Sequence, residues 1–315
     1  MNPRLHLREE EVRQLLPMKD AIEAVAESFK ALAGAEASNQ PRRRLFLPTG
    51  SVLHQMAGWW RGYYGTKVYA TNVKRGALAF HVLLYDAATA EPLALIEANA
   101  LGQIRTGAAT GAATALLARQ DSETCGMIGS GFQAWTQLEA VAAVRPIRTA
   151  RVWSRSGERR TKFAREASSA FGIEVMPSES AEDAVRGADV VVTVTYAKDP
   201  VVEDEWIGRL THVNAAGSNQ ANRREIPSAL VLRASLIVVD SIEQARAEAG
   251  DLLLACPEAE WYRLPLREMK DLIEGEFTRP AGVTIFKSLG LAVQDIAVAA
   301  KVYEKAVAAG AGSRI

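Results

Sequence analysis

The chain has 315 residues, 48% of them apolar, and its 37 basic and 37 acidic side chains give a formal net charge of zero. A balanced charge argues against nucleic acid or an anionic membrane as the main partner, since both select basic surfaces; no stretch of about 18 apolar residues suggests a membrane span, and Met1-Asn-Pro-Arg-Leu-His6 carries no apolar signal core. Two cysteines, Cys125 and Cys256, cannot build a disulfide framework, and His6, His54, His81 and His212 are scattered without ligand spacing, so a cytoplasmic protein of about two domains without a metal is expected.

Residues 9–33 carry helical periodicity, with Val12, Leu15, Leu16, Ala21, Ile22, Val25, Phe29 and Leu32 recurring at three- and four-residue steps. From Arg44 to Ile96 the pattern changes to strands. Trp59–Tyr69 is rich in β-formers, and His81–Tyr85 and Pro92–Ile96 flank a loop, which predicts a hairpin. Residues 99–118 read as an alanine-rich helix in which Gly107, Gly111 and Ala115 share one face, permitting close approach of a neighbouring backbone. Strands are expected near 124–128, 149–153, 173–176, 189–194, 211–215 and 235–239, with helices between the earlier ones. That alternation predicts an α/β fold with a parallel sheet and crossover helices. Residues 256–282 carry no assignable pattern, and 290–309 read as an amphipathic helix that returns to the first domain.

Cys125-Gly-Met-Ile-Gly-Ser-Gly-Phe-Gln-Ala134 is the stretch with most chemistry in it. A buried strand turns through Gly129, Ser130 and Gly131 into a helix opening with Phe132 and Gln133, the arrangement that grips a dinucleotide pyrophosphate. Gly129 serves the tight turn, Gly131 the approach of the backbone to phosphate, and Ala134 the close packing of helix on strand. Thr193, Val194 and Thr195, at the carboxyl end of a later parallel strand, stand where ligands of open α/β sheets bind. At the tip of the second strand, an NAD site normally offers a carboxylate to the ribose hydroxyls. Here stand Ser154, Arg155 and Ser156, followed by Arg159 and Arg160. A hydroxyl and a guanidinium suit a 2′-phosphate, so NADP(H) is expected to be preferred, with NAD(H) the alternative.

Several blocks together resemble the ornithine cyclodeaminase/μ-crystallin family over nearly the whole chain. They are Gly65-Thr-Lys-Val68, Gln103-Ile-Arg-Thr-Gly-Ala-Ala-Thr110, Ile128–Ala134, Val213-Asn-Ala-Ala-Gly-Ser-Asn219 with Arg224-Glu225, and Thr284-Ile-Phe-Lys-Ser-Leu-Gly290. The resemblance implies a Rossmann-type, doubly wound parallel sheet for NAD(P) over residues 119–287. With it comes a β-rich substrate-binding and dimerisation domain over 1–118 with 288–315, assembled as a homodimer. It also implies hydride exchange between a nicotinamide and the nitrogen-bearing carbon beside a carboxylate.

A substrate carboxylate calls for cations in the first domain. The resemblance matches Arg43 to the family's carboxylate-binding arginine, with Arg42 or Arg44 as alternatives, and joins it to Lys67 and Arg105. Lys67 is also a candidate proton donor, since desolvation and neighbouring cations lower a lysine's pKa. Met56 matches a position facing the substrate; His81 and Thr106 match positions near the cofactor; Lys287 and Ser288 resemble a segment closing on the cofactor. Where cyclodeaminases carry an aspartate, this chain has Asn219. An amide can hydrogen-bond an imine or amine but cannot act as a general base. Reduction of a 2-imino acid, such as the cyclic ketimine Δ1-pyrroline-2-carboxylate, is therefore the expected reaction. Amino-acid dehydrogenation, ornithine or lysine cyclodeamination, and non-catalytic binding of NADPH and a small acid, as in a crystallin, are the alternatives.

Overall fold

The computed structural model describes residues 4–72 and 75–314; Met1–Pro3, part of the N-terminal run read for a signal core, lie outside the described residues. The chain divides into two compact units, Met1–Arg105 with Gly290–Ile315, and Thr106–Leu289.

The first unit opens with β1 (Leu5–Leu7), α1 (Glu9–Leu15) and α2 (Met18–Ala33). The helical periodicity over 9–33 is thus carried by two helices. Leu16 leaves helical geometry, and Pro17 caps the start of α2, because proline excludes the preceding residue from a continuing helix. Next come β2 (Ala37–Asn39), β3 (Arg43–Phe46), β4 (Val52–Trp60), β5 (Tyr63–Asn72), β6 (Ala77–Asp86) and β7 (Pro92–Glu97). They form a sheet in the order β1-β7-β6-β5-β4-β2, with β3 on β4; all these pairs are antiparallel except β1 with β7. The expected hairpin is β6–β7, and its loop is closed by the Asp86 carboxylate, which accepts from the Ala88 and Thr89 amides. Glu9 likewise accepts from the Asn99 and Ala100 amides at the start of α3 (Asn99–Leu117). The division between the units falls inside α3, after Arg105.

The second unit strings together β8 (Thr124–Ile128), α4 (Phe132–Val144), β9 (Thr149–Trp153), α5 (Gly157–Phe171), β10 (Glu174–Pro177), α6 (Ala181–Val185), β11 (Val190–Thr193) and β12 (His212–Ala215). It continues through α7 (Ser228–Arg233), β13 (Leu236–Val239), α8 (Ile242–Glu248), α9 (Gly250–Leu253), β14 (Leu266–Glu268), α10 (Lys270–Ile273) and β15 (Thr284–Lys287). The sheet is parallel throughout, in the order β10-β9-β8-β11-β12-β15-β13-β14. Val191 and Ile237 enter one core cluster, whereas Val190, Val192, Cys125 and Met127 enter the other. Both faces are therefore covered, as a doubly wound α/β sheet requires. The six strands expected from sequence are present; β14 and β15 are additional. Chain order reverses between β8 and β11, the place where such sheets hold ligands. Gly107 of α3 meets the α4 backbone: a Cβ there would lie 2.3 Å from the Thr136 carbonyl oxygen.

The chain then returns to the first unit as α11 (Ala292–Ala309) and β16 (Ser313–Arg314), which pairs antiparallel with β1. Helix α11 rests on β4 at Gly58, where a Cβ would stand 2.8 Å from the Val293 nitrogen. Gly65 faces Gly58 across the β4–β5 ladder, and a Cβ there would stand 3.1 Å from the Ile296 methyl. Gly58 thus lets the α11 backbone approach β4 closely, and Gly65 leaves room both for the Leu83 carbonyl of β6 and for Ile296 of α11.

Candidate active site

In the first unit, β5 carries Lys67 inward, directly across from the buried Met56 of β4. Strand alternation puts Tyr69 on the same face, and β6 adds Phe80. The Lys67 ammonium lies 5.6 Å from the Phe80 ring centroid and 5.9 Å from that of Tyr69. Its partner is Asp295 of α11, whose Oδ1 accepts from Lys67 Nζ at 2.8 Å and from Arg105 Nε at 2.9 Å. Asp295 is fully buried, and its Oδ2 has no hydrogen-bond partner among the described residues. Arg105 also lies against Gly290, whose φ of +79° and missing Cβ leave room for the guanidinium. Arg42 donates to the Gly290 carbonyl oxygen.

Burial pushes the Lys67 pKa down to about 8; Asp295 opposes this, while Arg105 and Arg42 add to it. Burial alone would raise the Asp295 carboxyl, but Arg105 and Lys67 outweigh it and hold the group below its ordinary range. His54, stacked on Tyr69 at 4.1 Å, is pushed down to about 4 by burial and by Arg44 and Arg42, so it is neutral at physiological pH. Two cations, Lys67 and Arg105, share the single carboxylate of Asp295, which leaves this trio with a surplus of positive charge. Such a surplus in a desolvated place suits an anionic ligand.

The cations expected from sequence are therefore brought together in part. Lys67 and Arg105 share Asp295, whereas Arg43 is exposed on β3, paired in register with the exposed Gln55. Arg42, one residue earlier, acts on Lys67 by its charge, more weakly than burial, Asp295 or Arg105. His81 is also exposed, on β6. Asp295 is absent from the sequence-derived site, although it left a trace: a carboxylate beside Val293, Ile296, Ala297 and Val298 in an apolar stretch of helix is either paired or destabilising.

In the second unit the glycine loop leaves β8 as expected. Gly129 has φ +118°, and a Cβ on it would stand 2.4 Å from the Val194 carbonyl oxygen, so the switch-point loops touch where only glycine fits. At Gly131, the N-cap of α4, a Cβ would meet nothing within 4 Å, and no side chain caps the helix. Open space at a helix start that no side chain caps fits a dinucleotide pyrophosphate. Phe132 is exposed, and the Gln133 Oε1 is buried with no hydrogen-bond partner among the described residues. Ser130 Oγ and Ser154 Oγ stand 2.8 Å apart, linking this loop to the tip of β9. Ser156 caps α5 by accepting from the Arg159 amide. Arg155 and Arg159 are exposed, while Arg160 is committed to the Ser154 carbonyl and to Glu179.

The loops after β11 and β12 are held by Glu225. Its carboxylate accepts from Thr193 Oγ1, from the amide and hydroxyl of Thr195, and from the Gly217 amide. Asp251 accepts from the Glu225 amide and pairs with the fully buried Lys287 at 2.9 Å. Lys287 donates in turn to the Ala215 and Ser218 carbonyls, and Ser288 bonds Ala215 through its amide. Lys287 and the Thr195 hydroxyl thus serve the loop framework. Asn219 is half-buried in the loop they brace, and Thr106 is half-buried in α3. Burial and Asp251 push Glu225 up to about 6, against Lys287 and Thr195. Among the described residues no group of three or more His, Cys, Asp or Glu could hold a metal, and no helix is long and apolar enough to cross a membrane.

Comparison with known proteins gives concordant matches. The model of the ornithine cyclodeaminase/mu-crystallin family matches residues 4–310. A Δ1-pyrroline-2-carboxylate reductase of Bacillus cereus is 40% identical over 238 residues, 74% of this chain and 73% of its own. Among solved structures, Thermococcus litoralis Δ1-pyrroline-2-carboxylate reductase, in complex with NADH and L-proline, superposes with a TM-score of 0.93 at 34% identity, covering 99% of this chain and 100% of the other. An archaeal alanine dehydrogenase dimer with bound NAD superposes at 0.92, also 34% identical, over 99% and 98% of the two chains.

Proposed function

The chain belongs to the ornithine cyclodeaminase/mu-crystallin family, and we propose that within it the protein is an NAD(P)H-dependent reductase of 2-imino acids, with a cyclic ketimine such as Δ1-pyrroline-2-carboxylate as substrate. The observation that carries this reading is the buried Lys67–Asp295–Arg105 cluster, with Arg42 beside it. Its surplus positive charge receives the substrate carboxylate, and Lys67, charged at neutral pH yet near its titration point, holds a proton for the imine nitrogen. A bound reduced nicotinamide supplies the hydride to the carbon of the C=N bond. When the imine arrives neutral, the Lys67 proton goes to nitrogen and the product is the amino acid; lysine is then reprotonated from solvent. Asn219 supports reduction over cyclodeamination, since it can orient a nitrogen without having to remove its proton.

Arg42, rather than Arg43, is the third cation in this reading. The glycine loop at Gly129–Gly131 receives the pyrophosphate, and Ser154, Arg155 and Arg159 receive the 2′-phosphate, so NADPH is preferred and NADH is accepted. Leu45, Phe46, Leu47, Leu78 and Leu83 are exposed on the β-rich unit, which supports a homodimer built through that unit. Two buried cysteines and a reduced dinucleotide suit the cytoplasm.

Steady-state NADPH oxidation with Δ1-pyrroline-2-carboxylate, its six-membered homologue and pyruvate plus ammonia tests the reaction. Cyclic imines should give the higher kcat/KM. A preference for pyruvate with ammonia would make the protein an amino-acid dehydrogenase, the reading the archaeal structure favours. No turnover of any of them would leave only a binding protein.

A further inference from the structure

Asp295 stands at the centre of the cationic cluster, and neither the charge of the substrate nor the hydride step calls for a carboxylate there. A buried carboxylate beside an anion-binding place costs affinity through like-charge repulsion, so its presence needs a reason. The geometry supplies one. A single oxygen, Oδ1, accepts from Lys67 at 2.8 Å and from Arg105 at 2.9 Å, while both side chains and the carboxylate are buried. We propose, on the imino-acid reading given above, that Asp295 is a positioning residue: through one shared oxygen it keeps Lys67 charged and fixes the spacing of the two cations that receive the substrate carboxylate.

The groups around Lys67 set the sign. Asp295 from α11 favours the ammonium, by charge and by its hydrogen bond. Arg105 from α3 and Arg42 from the segment before β3 both disfavour it, as does burial. Tyr69 of β5 and Phe80 of β6 present ring faces, and Met56 of β4 is apolar. Without Asp295, burial, Arg105 and Arg42 push Lys67 towards the neutral amine. A neutral amine has no proton to give to nitrogen and no charge for the carboxylate. The loss is therefore pH-dependent, which a purely structural role would not produce.

The test measures kcat/KM for Δ1-pyrroline-2-carboxylate against pH in the full-length protein. In Asp295→Asn the alkaline limb should move down by about one pH unit or more, and in Asp295→Glu, which restores the charge, it should return towards its wild-type place. NADPH affinity, read from the quenching of protein fluorescence, should stay within about twofold in both. Asp295→Ser makes the same prediction where the buried amide does not pack. Calorimetric binding of pyrrole-2-carboxylate, a planar carboxylate without a reducible C=N bond, reads the same titration without turnover. Its affinity should fall at lower pH in the uncharged variants than in the wild type. The proposal is overturned if the uncharged variants merely lose kcat while both limbs coincide with those of the wild type. Should the wild type reduce no imine yet bind pyrrole-2-carboxylate with the predicted shift, the reaction assignment fails and the role of Asp295 stands.

Discussion

The Lys67 ammonium occupies the space that a side chain at position 102 would take: a Cβ on Gly102 would stand 3.0 Å from Nζ. Gly102 lies in the first turns of α3, where alanine is the better helix former by about 1 kcal/mol. Gly102→Ala should therefore leave the melting temperature unchanged or raise it, while displacing Nζ by a few tenths of an ångström. The expected result is a stable protein with kcat/KM reduced about tenfold, within the cost expected for a misplaced catalytic group. Thermal melts and kinetics on one preparation check it, and unaltered activity would mean that the ammonium position is not critical.

Lys67 titrates near pH 8 in this environment. In the proposed reaction it serves as a cationic acid, competent when protonated, so kcat/KM for the imino acid should be flat below that pH and fall above it. Lys67→Arg, which stays charged, should lose the alkaline limb along with most of its activity, since a guanidinium is a poor proton donor. Lys67→Met should abolish turnover with NADPH binding intact. An alkaline limb that persists in Lys67→Arg would assign it to another group.

Cofactor preference provides an independent check. Arg155 and Arg159 are exposed at the tip of β9, and removing one charge-assisted hydrogen bond of about 1.5 kcal/mol predicts about a tenfold fall in kcat/KM for NADPH. Values for NADH should stay within twofold or so of wild type. Equal losses with both cofactors would remove the 2′-phosphate assignment.

Glu225 predicts a stability effect. Its folded pKa is raised from 4.5 to about 6, so the native state holds that proton more tightly than the unfolded chain. The associated stability is present below pH 4.5 and is lost as pH rises through 6, by about 2 kcal/mol. Urea unfolding of wild type and Glu225→Gln at pH 4.5 and 7 isolates it. The variant should lack this component of the pH dependence, and identical slopes in the two proteins would contradict the burial argument.

The second unit was the more legible in sequence because its signals are local. Strand, glycine turn and helix lie within residues 125–134, and the buried strands are nearly continuous in Val and Ile. β15 escaped because Thr284-Ile-Phe-Lys287 is short and ends on a lysine, which reads as a surface residue until Asp251 is seen to neutralise it. The cationic cluster was half legible. Lys67 and Arg105 stood out as charges among β-formers and alanines, but their common partner lies roughly 190 to 230 residues further on, a separation that no local pattern reports. The choice of Arg42 over Arg43 in the proposed site follows from strand pairing: Arg43 sits opposite the exposed Gln55, one step out of phase with Met56.

Gly58 and Gly65 bear on chemistry they never touch. Gly58 admits the α11 backbone to β4 and Gly65 leaves room for Ile296 of the same helix, and Asp295 is carried by that helix. Gly58→Ala would lift the scaffold that carries the counter-ion and slacken its grip on Lys67, so a methyl group on an inert ladder rung should register as a lost proton.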